Sequence, residues 1–443
     1  MTPHPMVARG QFSWACVLLC GAVVLGGGQG TLGDTVVQLL ALGLIAWVFW
    51  RQSADPAARL PGVAWLAALP LLIPLLQLLP LPEILWALPA ERARIASEWS
   101  AAGVAPARGL GLVPMGAERA LAWMLPAVAL FLAGLQMSAR QRAILAAVFV
   151  VMVCITAVLG LAQLAGGLDS PLRFYEITNT SSAVGFFANR NHHASFMAMA
   201  LPFVLAGTVW WMNERREADA SQALWLVAGV GLAVLLIAGI AIANSRASLV
   251  LGMLGLLLAM PIALSLRRRA GVKRVLAVVV VVGLAAGVQF GMLGMLQNLQ
   301  RNPLQDDRFR TTPLVLEAAR AHAPLGSGLG SFRQVFETYE GKVTNPEYVN
   351  HAHNDAAELW LTGGWLALVL VAPLAGAFVW AGWSAWRPGG SGSRGNRALR
   401  QAAWAALLLV LLHSLVDYPL RTTAHLALFG LLAALLSRPP QEN

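Results

Sequence analysis

The feature that most constrains this chain is the recurrence of mainly apolar stretches, free of charge in their interiors and long enough to cross a bilayer, which takes a helix of about 20 residues. Twelve occur in the 443 residues, running approximately from Phe12 to Gly28, Gly33 to Trp50, Gly62 to Leu81, Ala120 to Met137, Ala143 to Gly166, Ala194 to Met212, Gln222 to Ala243, Ala247 to Leu266, Val275 to Gln297, Leu359 to Trp386, Gln401 to Val416 and Thr422 to Ser437. Only 12% of residues are charged, against about 25% in an ordinary soluble domain, and the mean hydropathy is +0.65. The expected fold is therefore an all-α integral membrane protein with about 12 transmembrane helices. The first stretch follows Arg9 as a signal peptide would, but Gly-Gly-Gly-Gln-Gly follows it in place of a small-x-small cleavage site, so it reads as an uncleaved helix. Cys16, Cys20 and Cys154 lie inside apolar runs without a CxxC spacing and read as packing residues.

A formal charge of +10 would ordinarily suggest a nucleic-acid partner. Its placement removes that need. With the N-terminus in the cytoplasm, the inner loops hold 17 Lys and Arg against 5 Asp and Glu, a net of +12, and the outer loops hold 14 against 16, a net of −2. Short inner loops such as the one with Arg267, Arg268, Arg269, Lys273 and Arg274 carry the positive-inside signature. Both termini are thus expected to be cytoplasmic, with no nucleic acid as partner. Trp47, Trp50, Trp210 and Trp211 fall at span ends, where an indole anchors at the interface.

Two outer loops are long, Pro82 to Arg119 and Asn298 to Glu358, and loops of that length in a compact protein usually carry function. They divide the chain into helices 1–9 (residues 1–297), a large loop (298–358), and helices 10–12 with a cytoplasmic tail (359–443). No span carries a charge in its interior, although ion-coupled transporters keep such residues near the bilayer centre. Nor does the sequence show the internal repeats of a lipid-linked glycan transporter. Polar chemistry collects instead in the outer loops, as expected of an enzyme working at the membrane surface on a lipid-borne substrate.

The large loop runs Asp306-Asp307-Arg308-Phe-Arg310, then Pro324-Leu-Gly326-Ser-Gly328-Leu-Gly330-Ser-Phe332, and ends in His351-Ala-His353-Asn354-Asp355-Ala-Ala-Glu358. With no strand before it, the glycine run reads as a turn and not as a dinucleotide site. His351 and His353, with Asp355, are a thin basis for a metal site, and none is expected. An imidazole is largely neutral at pH 7 and can accept a proton from a sugar hydroxyl, with Asp355 or Glu358 orienting it. Arg190, Arg246 and Arg308 all fall on the outer side, and a guanidinium matches phosphate oxygens in pairs and stays charged. A snorkelling role is the plain alternative for Arg246.

Phe187-Ala-Asn189-Arg190-Asn191-His192-His193-Ala-Ser195, Asn244-Ser245-Arg246-Ala-Ser248, Arg308 ahead of the glycine run, and His353-Asn354-Asp355 followed by Gly363-Gly364-Trp365 together resemble the O-antigen ligase and O-antigen polymerase superfamily of bacterial envelope proteins. Similarity extends from about residue 185 to 370. The resemblance implies a GT-C-like glycosyltransferase of the bacterial inner membrane that needs no metal or other cofactor. It has a large helical periplasmic loop between helices 9 and 10, which carries the active site. Members move glycans from undecaprenyl diphosphate to lipid A–core, to another lipid-linked repeat, or to a protein hydroxyl.

By position, His353 is implied as general base with His351 as competitor, and Arg190, Arg246 and Arg308 as the diphosphate clamp. Asn191, His192, His193, Asn354, Asp355 and Glu358 would stand around them. Single displacement by an acceptor hydroxyl inverts the anomeric centre, whereas a covalent intermediate needs a carboxylate such as Asp306, Asp307 or Glu358. The ligase reading is preferred here. The alternatives are a polymerase or protein O-glycosylating enzyme and, from another class, a transporter.

Overall fold

A computed structural model of the chain describes residues 5–28, 32–104, 109–113, 115–214, 220–265, 307–340, 349–387 and 393–440, with single positions at 281, 283, 285 and 289. Among them the structure is helical and contains no strand. In chain order the helices are α1 (Pro5–Leu25), α2 (Leu32–Ala54), α3 (Ala68–Gln77), α4 (Glu83–Trp86), α5 (Ala90–Ala101), α6 (Gly116–Leu135), α7 (Ala139–Ala165), α8 (Arg190–Glu214), α9 (Ala220–Ile242), α10 (Arg246–Leu264), α11 (Asp307–Ala321), α12 (Phe332–Glu340), α13 (Asp355–Trp386), α14 (Arg394–His413) and α15 (Thr423–Leu436).

Among the described residues, six helices are long and apolar enough to cross a membrane: α2, α6, α7, the part of α9 from Ala223, α10 and α13. Arg9–Leu25, Gly62–Gln77 and Thr423–Leu436 are apolar but shorter. In α14 the start is polar, with Arg394, Arg397, Arg400 and Gln401 ahead of its apolar turns. The expected ninth span, 275–297, lies outside the described residues apart from the single positions. Many of the side chains that face away from the bundle are apolar, among them Val151 and Val158 of α7, Val227 of α9, Val250 of α10 and Val369 and Val379 of α13. An apolar surface of this extent suits hydrocarbon and not water.

Helix α8 packs against α7, α9, α10 and α14, and Ala194 and Phe196 through Leu201 are wholly buried. It is apolar on every side beyond its first turn, as a helix enclosed by others must be. Small residues let α15 sit close to α6: a Cβ placed on Gly430 would lie 2.0 Å from Ala127 O, and one on Gly134 would lie 2.6 Å from Ala434 Cβ. Such close backbone approach is the usual means of holding helices together where lipid offers no hydrophobic drive between them.

The described part of the large loop has a core of its own. Val315, Ala318 and Ala319 of α11 pack with Phe332, Val335 and Phe336 of α12 and with Ala357 and Leu361 of α13. The glycine run then fastens this unit to the bundle. Ser327 N donates to Leu361 O (2.9 Å), Gly328 N to Thr362 O (2.8 Å) and Trp365 N to Pro324 O (2.9 Å). These contacts bracket Gly364, whose φ of +61° breaks the helical course of α13. The first long loop braces the same seam: Leu112 N donates to Ser327 O (2.9 Å), Arg92 of α5 donates to Gly326 O (2.7 Å), and Gln77 spans Thr362 O and Leu329 N. The run is thus a backbone-to-backbone joint, in keeping with its reading as a turn.

A Cβ on Gly364 would lie 2.3 Å from Pro324 O, and one on Gly326 would lie 2.5 Å from Gly364 N. Both residues also hold a positive φ. Gly364→Ala is therefore expected to destabilise the protein by about 2 kcal/mol or more, read as a lowered unfolding temperature of the purified protein, whereas Gly62→Ala, in open space, leaves it unchanged.

Candidate active site

The starts of α8, α10, α13 and α15 and the end of α14 meet at one end of the bundle. Between α14 and α15 the chain makes a short turn: Val416 N and Asp417 N donate to His413 O at 3.0 and 2.9 Å, and a single 3₁₀ turn, Pro419–Arg421, follows. Thr422 then caps α15 by accepting from His425 N. Asp417 is fully buried. Its Oδ1 accepts from Tyr418 N at 2.9 Å and lies 3.3 Å from His353 Nδ1 and 3.6 Å from His192 Nε2. Its Oδ2 accepts from Asn191 Nδ2 at 2.7 Å and lies 3.8 Å from His413 Nε2. Burial opposes ionisation of this carboxyl, but the contacts to His192, His353 and His413 outweigh it and hold Asp417 well below the usual carboxylate range.

His353 is the outermost of the three histidines, with 31% of its side chain exposed, and it holds a φ of +48°. A positive φ in a residue other than glycine costs energy that surrounding structure must offset. The chain turns helical only at Asp355, after the extended Asn354, whose Oδ1 accepts from Ala357 N (3.0 Å) to cap α13. Asn354 therefore shapes the loop and not the pocket. Tyr418 fills the space between the histidines, its ring 4.6 Å from that of His351, 4.8 Å from His353 and 4.9 Å from His192.

His351 belongs to a second pair. Its Nδ1 lies 3.0 Å from Glu358 Oε1, and its ring stacks on Phe332. Glu358 also accepts from Ala352 N (3.0 Å) and faces Arg421 Nη1 at 3.5 Å. Arg421 donates to Asp355 Oδ1 at 3.1 Å, while Asp355 Oδ2 accepts from Ser414 Oγ (2.9 Å) and Leu420 N (3.3 Å). Burial disfavours the Arg421 charge, but the carboxylates of Glu358 and Asp355 more than restore it and raise its pKa. Of the two acidic residues expected to orient a histidine, Glu358 does so for His351, and Asp355 is engaged by Arg421.

Arg190 and Arg246 are the first residues of α8 and α10. Ser248 Oγ donates to Asn191 O (3.1 Å), tying the two first turns side by side and bringing both arginines to the same end as Asp417. Arg190 is half-buried, with Nη1 donating to Ser182 Oγ (3.3 Å), and Arg246 is exposed. Arg308 lies in the first turn of α11, but its side chain lies outside the described residues, as do Asp306 and the side chain of Asp307. His192 joins the Asp417 cluster. His193 is buried too but packs toward Gly160 of α7 and the Gly185 turn and takes no part in it.

Residues 231–372 match the O-antigen ligase family. The match bears out the resemblance to the O-antigen ligase and polymerase superfamily, whose members are glycosyltransferase-type enzymes. It covers about a third of the chain and takes in Arg246, the large loop, both loop histidines and the Gly363-Gly364 break. Arg190, Asn191 and the Asp417–Arg421 turn lie outside it. No curated protein matches the chain. Asp417, Tyr418, Arg421 and His413 line the candidate site, and motif reading passed over them. The available signal was an acidic residue four positions after a histidine, in a turn of only a few residues between two apolar spans.

Removing one member of a buried ion pair leaves a charge without compensation, at a cost of about 3–5 kcal/mol. Arg421→Ala should therefore lower the unfolding temperature sharply, and adding Glu358→Gln to it should recover part of the loss. Asp417 has a depressed folded-state pKa, so its contribution to stability is fully present above the unfolded value near 3.9 and is lost as pH falls from there through its depressed value. Unfolding temperatures across that acid window should fall more steeply for the parent protein than for Asp417→Asn.

Proposed function

We propose that the protein is a membrane glycosyltransferase of the O-antigen ligase type, moving a glycan from undecaprenyl diphosphate to an acceptor hydroxyl of lipid A–core at the periplasmic face of the bacterial inner membrane. The observation that carries this reading is the pairing of the partly exposed His353 with the buried Asp417, beside two helix starts that bear Arg190 and Arg246.

His353 turns Nδ1 toward Asp417, which leaves Nε2 for the acceptor. The acceptor oxygen forms its bond to the anomeric carbon as its proton passes to Nε2. The bond from the anomeric carbon to the phosphate oxygen breaks with its electron pair leaving on the diphosphate. Attack on the face opposite the leaving group inverts the anomeric centre. Asp417 stabilises the imidazolium that forms and fixes the ring that forms it. Negative charge grows on the diphosphate as the bond breaks, so fixed guanidinium groups favour that state over the ground state. Arg190, Arg246 and Arg308 fill this role in the reading, and the first turns of α8 and α10 add the partial positive charge of helix N-termini. His351, held by Glu358 and less exposed, shapes the pocket wall from the same loop.

His353→Ala should lower glycan transfer about 100-fold or more, the usual scale for loss of a general base, with the protein still inserted and folded. Arg246→Ala should also abolish transfer, and His351→Ala should reduce it less than His353→Ala. Transfer from undecaprenyl diphosphate-linked glycan to lipid A–core in membranes measures all three. Full activity in both His353→Ala and Arg246→Ala would remove the proposal. Deleting the gene in the native host separates the branches of the superfamily, since long polymer stranded on the lipid carrier indicates a ligase and single repeat units a polymerase.

A further inference from the structure

The end of the bundle opposite Asp417 gathers arginines. Helix α13 runs 32 residues from Asp355, about 48 Å of helix, and its far end meets the start of α14 and the end of α15. Arg400 of α14 ties the three together: Nε donates to Leu436 O of α15 (2.8 Å) and Nη2 to Ser384 Oγ of α13 (2.6 Å). Arg142 of α7, also buried, donates to Ala434 O (2.9 Å) and Ser437 O (2.8 Å) at the same end of α15. Carbonyls at a helix C-terminus carry partial negative charge and offset these two guanidinium groups in part. Arg387 and Arg438 are placed differently. Each directly precedes a proline, Pro388 and Pro439, which ends the helix and favours extended backbone before it, so both stand just past a helix end at the rim of the cluster. Arg387 is half-buried and Arg438 exposed, and the charge of each acts on Arg400. Neither forms an ion pair with a carboxylate among the described residues.

Below this cluster α13 presents an apolar face. It is the least enclosed of the six long apolar helices, and Val369, Val379, Trp380 and Trp383 are all more than half exposed. A Cβ on Gly376 would meet nothing within 4 Å. Steps of three and four residues put these positions on one side of the helix, and the stripe leads to Arg387, whose guanidinium lies 4.9 Å over the Trp383 ring. Fixed positive charge at the end of an exposed hydrocarbon stripe matches one kind of molecule, a lipid with an anionic headgroup. A soluble anion would use the arginines alone. We propose that this end of α13, α14 and α15 binds an anionic phospholipid, its phosphate on Arg387 and Arg438 with Arg400 behind them, and an acyl chain along the outward stripe of α13. Guanidinium groups match phosphate oxygens in pairs, and arginines beside a bilayer surface attract anionic lipids. Arg400 is the part that a merely basic loop would lack, since its hydrogen bonds to α13 and α15 fix a positive charge in place before a lipid arrives. The site stands apart from the proposed reaction, because none of the three arginines lies at the end of the bundle that holds His353.

The test titrates phosphatidylglycerol and phosphatidylcholine of identical acyl chains into the purified full-length protein in detergent and counts the first bound lipid by native mass spectrometry. The parent is expected to prefer phosphatidylglycerol about ten-fold. Arg387→Gln with Arg438→Gln should bring the two lipids within about two-fold of each other, while Arg387→Lys with Arg438→Lys, which keeps the charge, should retain part of the preference. Arg94→Gln with Arg333→Gln removes the same charge from α5 and α12 and should leave the preference as in the parent. Inorganic phosphate at the lipid's concentration should displace nothing. If the double glutamine variant does not fold, Arg438→Gln alone, at an exposed position, takes its place with an expected loss of about three-fold. The proposal is overturned by a parent without preference, or by a folded glutamine variant that keeps the parent's preference. An equal loss in the α5 and α12 variant would overturn it as an effect of net charge, and displacement by inorganic phosphate would overturn it in favour of a soluble anion.

Discussion

The site depends on the burial of one negative charge. Asp417 sits where the start of α8, the segment before α13, the end of α14 and the start of α15 converge, and it is held as a carboxylate by dipoles and imidazoles from three of these segments. A buried charge is costly unless it is fully hydrogen-bonded, so every donor that satisfies it is also fixed by it. His353 brings Nδ1 to 3.3 Å from it, from a loop position of positive φ.

A second charge cluster lies alongside. Arg421 neutralises Asp355 and Glu358 in the first turn of α13, where helix polarity already favours acidic side chains. Glu358 passes that order on to His351. The two histidines of the loop, separated by one residue, are thus served by different carboxylates from different elements, with Tyr418 standing between their rings. This division gives the histidines unlike environments and supports unlike roles for them.

Much of the architecture was legible because its signals are local. Runs of apolar residues mark the helices, and the polar start of α8 and Ser245 before Arg246 mark helix beginnings. The glycine run was readable as a turn from residue type alone. What faces it was not, since Gly363-Gly364 lies more than thirty residues on and meets it only after α13 bends. Arg190, Arg246, His351 and His353 stood out because each lies among other polar residues in an outer segment. Asp417, Tyr418 and Arg421 did not, because a brief turn between apolar spans is ordinary interfacial chain and nothing in its spacing reveals the histidines brought to it by α8 and the large loop. His413 carries the same difficulty, being a lone histidine at the end of a helix whose preceding turns are apolar.

The glycine joint separates two jobs that a loop over an active site must do. Backbone meets backbone at Gly326, Gly328 and Gly364, so the loop's height and register over the bundle are set by main-chain atoms. Side chains on its outer face are released from that duty. The loop can therefore change its outer surface, residue by residue, while His353 keeps its place against Asp417. Under the proposed reaction, such a division lets the surface that meets a substrate drift without moving the groups that would do the chemistry.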